Sequence, residues 1–174
     1  MKISLILAPA VVGVLVGGIT TPTMRPDRDA LSIGSVRAPV EAALDRGDFS
    51  TAVRMTEAAH RRAVHDRRWE SLIEVGDVYC RIASRMGAPE VATQRARDAY
   101  QAALRSARHA ESLDGVLRAA EAFAQLGDVD GMQLSLHVAR DLAGSDAEAV
   151  DDVKAAAGRL SDLLGAADPE ERGE

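Results

Sequence analysis

The chain predicts an all-α fold, on three observations. Hydrophobic residues make up 47% of its 174 positions, yet aromatic residues make up only 3%. The apolar content is therefore mostly alanine and leucine, which favour helices, whereas sheets prefer β-branched and aromatic side chains. Nor is there a hairpin signal: Asn-Gly is absent, and the Asp-Gly pairs at 114–115 and 130–131 lie in helical surroundings. This length is ordinary for a single domain.

The first element, residues 1–24, is expected to be a signal peptide or a membrane anchor. Lys2 is followed by no charge from Ile3 through Met24, and the apolar core runs Ile3–Ile19. A charge-free stretch can enter hydrocarbon, where a buried ion would cost several kcal/mol. Its length is between that of a signal core and a full span, so cleavage and retention both stay open. Without a cysteine directly after it, lipoprotein attachment is excluded. Either outcome predicts an extracytoplasmic protein, secreted, periplasmic or membrane-anchored. Residues 25–35 carry Pro26 and small polar residues and are expected to be a linker to a helical domain over 36–165.

That domain opens with a repeat. "GDFSTAVRMTEAA", residues 47–59, is echoed by "GDVDGMQLSLHVA", residues 127–139, and Gly87 in "RMGAPEVA" stands midway between the two glycines. Upstream of each glycine, at matching offsets, come Val40, Cys80 and Ala120, then Ala43, Ala83 and Phe123. Downstream come Ala52, Ala92 and Met132, then Thr56, Ala96 and Leu136, then Ala59, Ala99 and Ala139. Only Thr56 among these is not apolar. The upstream pair shares one face of a helix that ends at the glycine, and the downstream three share one face of the next helix. Glycine there permits the left-handed backbone that ends a helix, and the following aspartate can cap its successor. Each unit is thus a helical hairpin too thin to bury its own apolar face, so neighbouring units must stack. A second register is open for the middle copy, using Gly76 and Tyr79 with Ala96, Tyr100 and Ala103.

"VEAALDRGDFSTAVRMTEAA" and "AAEAFAQLGDVDGMQLSLHVA" resemble tetratricopeptide repeats, which place a small and a large apolar residue before a Gly-Asp turn and Ala, a bulky residue and Ala after it. The resemblance covers about residues 36–143, with a 40-residue period where the family has 34. It implies a short right-handed solenoid of about three antiparallel hairpins. It also implies a groove lined by the first helix of each hairpin, where an extended peptide or partner helix would lie. Carried onto this sequence, the groove residues are Arg37, Glu41, Asp45, Asp77, Arg81, Arg85, Asp114, Glu121 and Gln125. Their mixed signs select no charge class of ligand.

After Ala143, "GSDAE" is a stop and a restart: Gly144 ends a helix, and Ser145 with Glu148 is expected to form a capping box. Val153, Ala157, Leu160 and Leu164 then follow helical spacing, with Asp151, Asp152, Lys154 and Asp162 on the other side. This suits a final helix that seals the exposed end of a stack. Residues 166–174, "AADPEERGE", are expected to be a disordered acidic tail.

Charge and motif exclude more than they assign. The net charge is −6, and residues 36–140 hold fifteen bases and fifteen acids, so no basic face suited to nucleic acid is expected. "HRRAVHDRRW", residues 60–69, is the densest basic stretch and is expected to be a solvated helix end, its cations complementing the C-terminal dipole. His60 and His65 are five apart and fall on different helix faces, unlike the i, i+4 pair of a helical zinc site. Cys80, the single cysteine, is expected to pack as a small apolar residue. Arg46-Gly47-Asp48 spells an adhesion tripeptide, but Gly47 already has a structural use at the turn. No nucleophile elbow or phosphate-cradling glycine loop occurs. The expectation is a non-enzymatic scaffold without cofactor or metal, binding a protein or peptide partner, and touching a membrane through the N-terminal segment if that segment is uncleaved. An α-helical envelope enzyme or enzyme subunit, and a structural oligomer stacked end to end, are the alternatives.

Overall fold

A computed structural model describes residues 33–87 and 89–167. These form seven α-helices and, among the described residues, no strand: α1 (Ile33–Asp45), α2 (Phe49–Asp66), α3 (Trp69–Met86), α4 (Pro89–His109), α5 (Leu113–Gln125), α6 (Val129–Ala143) and α7 (Ala147–Ala167). The N-terminal apolar segment and most of the linker lie outside the described residues. Two boundaries move. Helix α1 begins at Ile33, inside the expected linker, and α7 runs to Ala167, inside the expected tail. No described helix is long and apolar enough to cross a membrane.

Gly47, Gly87 and Gly127 stand at the α1–α2, α3–α4 and α5–α6 turns with φ of 72°, 61° and 75°, the left-handed region. The two Gly-Asp turns share one hydrogen-bond pattern. Gly47 N–H donates to Leu44 O (3.0 Å) and Asp48 N–H to Ala43 O (2.8 Å); Gly127 N–H donates to Ala124 O (3.0 Å) and Asp128 N–H to Phe123 O (2.9 Å). These are Schellman closures, which satisfy the last carbonyls of a helix only if the residue after it turns left-handed. Each aspartate then caps the following helix, Asp48 accepting from Thr51 N–H (3.1 Å) and Asp128 from Gly131 N–H (2.9 Å).

The turns between hairpins use the same closure without glycine. Arg67 (φ 52°) and Glu111 (φ 51°) occupy the left-handed position, and Arg68 N–H and Ser112 N–H reach back to Ala63 O and Ala107 O. A side chain there costs about 1–2 kcal/mol, partly offset by the greater unfolded-state entropy of glycine. Glu111→Gly is therefore expected to stabilise the protein by roughly 0.5–1 kcal/mol, read as a higher urea midpoint with an unchanged m-value.

Burial follows the expected hairpin positions with one exception. Of the fifteen residues flanking the turn glycines, fourteen are buried, including Thr56, whose hydroxyl donates to Ala52 O (2.8 Å) and so needs no other partner. The exception is Cys80. It is half-buried, with Sγ 3.6 Å from the Tyr100 hydroxyl, and burial raises its thiol pKa and keeps it unreactive. Gly87 makes the middle turn, while Gly76, Tyr79, Ala96, Tyr100 and Ala103 of the second register are all buried as well.

Gly76 and Tyr100 belong to a chain of ring contacts across four helices. A Cβ on Gly76 (α3) would lie 2.1 Å from the Tyr100 ring (α4), so only glycine lets that ring lie against the helix. Tyr100 meets Phe123 (α5) edge-on at 5.8 Å between centroids, and a Cβ on Gly131 (α6) would lie 2.4 Å from the Phe123 ring. Gly115 (α5) similarly faces Trp69 and Ala107. Aromatic residues are few, but three of the five, Trp69, Tyr100 and Phe123, lie where the second and third hairpins meet.

Helix α7 packs on α5 and α6 with Val153, Ala156 and Leu160 buried, while Asp151, Asp152, Lys154 and Asp162 are exposed. The expected Ser145–Glu148 capping box is replaced by a cap one residue later. The Asp146 carboxylate accepts from the N–H groups of Glu148 (3.0 Å) and Ala149 (3.3 Å). An aspartate suits this position better, because its charge also complements the helix dipole.

Candidate functional site

The expected groove residues fall on α1, α3 and α5, and the structure joins those on the first two. Glu41 and Arg81 approach to 2.8 Å, and Asp45 and Arg85 to 3.3 Å. Both pairs link residues forty apart, so α1 and α3 meet in the register of the repeat. The Arg81 contact is an ion pair, and its buried Nε makes no hydrogen bond among the described residues. Arg37, Asp77 and Arg81 line one small cleft with Glu74, Ile33 and Val78. Asp77 also accepts a hydrogen bond from the Tyr100 hydroxyl (2.9 Å), tying this surface to the interior ring chain. Burial is the main reason the Tyr100 pKa is raised, so the hydroxyl stays protonated and donates.

On α5 the placement is looser. Glu121 pairs with Arg118 of its own helix (2.9 Å), and Asp114 and Gln125 are exposed near its two ends. Glu121 and Gln125 nevertheless occupy the same offsets from their turn glycine as Arg81 and Arg85. The three helices thus carry rungs of alternating character: Glu41, Arg81 and Glu121, then Asp45, Arg85 and Gln125.

A second polar surface lies between α2 and α4, over α3. A cleft of about 380 Å³ is lined by Glu57, His60, Arg61, Tyr79, Arg95 and Asp98. Arg95 forms an ion pair with Glu57 and stands over the Tyr79 ring at 5.9 Å, with His60 edge-on to the same ring at 6.2 Å. Burial pushes the His60 imidazole below its ordinary pKa; Asp98 pulls the other way, Arg61 adds to the depression, and Glu57 opposes it. Periodicity could not locate this cluster, since Glu57 and Arg95 are thirty-eight residues apart and no regular offset relates them. The basic stretch at 60–69 spans the end of α2 and the turn into α3, with Arg62 engaged by Asp66 at 2.6 Å. Asp128, burial notwithstanding, is held below the usual carboxylate range by the Gly131 N–H and by Arg97, 2.5 Å away on α4. Among the described residues, no group of three or more His, Cys, Asp or Glu could hold a metal ion.

Comparison with protein-family models, with curated proteins and with solved structures finds no match for this chain.

Proposed function

We propose that the protein is a scaffold, exported or membrane-tethered by its N-terminal apolar segment, that binds another protein through the face made by α1, α3 and α5. On this reading the three hairpins form a short right-handed tetratricopeptide-like solenoid, closed at one end by α7. The observation that carries it is the pairing of Glu41 with Arg81 and of Asp45 with Arg85, forty residues apart, which sets α1 beside α3 in one register. The packing of the helices supports the same arrangement. Helix α1 packs on α2 and α3, and α5 on α3, α4, α6 and α7, as in a row in which each hairpin touches its neighbours.

The chemistry suits exchange of partners. Both ion pairs are partly exposed, and such pairs contribute at most about 1 kcal/mol. An incoming chain can therefore take over Arg81 or Glu41 at little cost to the fold. The face is preformed by packed helices, so little ordering is needed on binding.

The envelope-enzyme alternative draws on the His60 cleft, where titratable groups gather. We favour the scaffold because Glu57 is committed to Arg95, and no nucleophile–base hydrogen bond is formed in that cleft among the described residues.

The test is crosslinked capture from native membranes with the full chain and with Arg81→Glu. The substitution sets a second carboxylate against Glu41 and is expected to lower stability by less than about 1 kcal/mol. Proteins captured by the wild type should fall at least tenfold with the variant. Equal capture by both would remove this face as the binding surface.

A further inference from the structure

About one helical turn beyond the His60 cleft, α2 and α4 line a second cleft of different character. Both helices pack on α3, which forms its floor. This cleft is a cavity of about 330 Å³ that includes Val64, Leu72, Ala102, Arg67, Arg105 and His109. The floor is apolar: Leu72 is buried, and Val64, although on the rim, is 49% exposed. The rim is cationic. Arg67 and Arg105 are exposed and have no acidic partner among the described residues, whereas Arg95 in the neighbouring cleft is paired with Glu57. No carboxylate lines the cavity. Asp66, the nearest acid in sequence to Arg67, is held by Arg62. The Ser106 hydroxyl donates to Arg67 O (2.6 Å), which fixes the left-handed Arg67 backbone against α4 and so holds the two sides of the cavity together.

We propose that this cavity docks an acidic peptide segment of a partner protein, a large apolar side chain entering over Leu72 and flanking carboxylates meeting Arg67 and Arg105. Charge complementarity selects the sign of the ligand. The cavity volume stands at the lower end of small-ligand sites, which suits one inserted side chain and not a large cofactor. From Glu57 to Arg67 the α2 side of the two clefts rises about 15 Å, the span of roughly four to five extended residues. A bilayer surface is a poorer occupant, because the apolar floor is recessed between two helices and a planar membrane cannot reach it. Arginine favours carboxylate here through its forked donors, and rim charges of this kind act mainly on association rate and selectivity. The site uses none of the residues assigned to the face of α1, α3 and α5, so it stands or falls independently of that face.

The probe is a fluorescein-labelled, C-amidated pentapeptide with four glutamates around a central leucine, read by fluorescence polarisation with the full chain at low salt. Saturable binding is expected, at least tenfold weaker with Arg105→Glu and with Val64→Glu, both at exposed positions, and absent for the same peptide with lysine in place of glutamate. Loss of binding when alanine replaces the central leucine is also expected. Arg105→Glu binding as tightly as wild type would overturn the proposal, as would equal binding of the lysine peptide. So would Arg105-dependent association with phosphatidylglycerol vesicles in the absence of peptide binding. Circular dichroism melts of both variants matching wild type would show that any loss is local.

Discussion

Phe123→Ala is expected to cost about 3–5 kcal/mol, the range for removing a fully buried ring. The residue is 1% exposed, meets Tyr100 edge-on, and covers Gly131 so closely that no Cβ would fit between them. Its loss leaves a cavity bounded by α4, α5 and α6 that cannot easily collapse, because the helices around it are fixed by the Asp128 cap and by Arg97. For a domain of this size that corresponds to a fall in Tm of roughly 6–20 °C. Differential scanning calorimetry checks it. Leu134→Ala, at a residue 55% exposed on the same pair of helices, is the control and should move Tm little.

Gly76→Ala is the second large effect, and its sign is contested by two terms. In a helix, alanine is favoured over glycine by about 1 kcal/mol. Against that, the added Cβ would fall 2.1 Å from Tyr100 Cε1, far inside contact distance. Tyr100 cannot swing away, being 2% exposed, wedged on Phe123 and hydrogen-bonded through its hydroxyl to Asp77. Overpacking costs about 1–3 kcal/mol, and a 2.1 Å approach to an immobile ring belongs at the upper end, so a net destabilisation of about 2 kcal/mol is expected. The double variant Gly76→Ala/Tyr100→Leu separates the causes. If the clash dominates, the pair of changes should cost less than the sum of the two singles, a coupling measurable by urea denaturation. Strict additivity would mean that the ring and the glycine do not share the strain.

Much of this fold can be read from the chain, and the reasons are local. Gly47, Gly87 and Gly127 had to mark turns because only glycine enters the left-handed region without penalty, and apolar residues at fixed offsets around them had to face inward. The same logic could not find the turns at Arg67 and Glu111, where tertiary packing holds side-chain-bearing residues in that conformation. Nor could it place the cap of α7: both Ser145 and Asp146 are good capping residues, and a one-residue choice depends on how α7 meets α5 and α6. The surfaces were legible in proportion to their periodicity. Glu41–Arg81 and Asp45–Arg85 follow the repeat, whereas the Glu57–Arg95 pair and the cavity at Arg67 and Arg105 arise where α2 and α4 both pack on α3.

On the proposed reading the hairpins stack in a row, leaving the odd helices side by side along one open face. Pulsed electron paramagnetic resonance on spin labels at positions 45, 85 and 125, placed pairwise in a Cys80→Ser background, tests it most directly. Helices packed in a row are separated by about 8–10 Å per step. The 45–125 distance should then be close to the sum of the 45–85 and 85–125 distances. A 45–125 distance no longer than either single step would mean that the helices close into a bundle, and the open face would not exist.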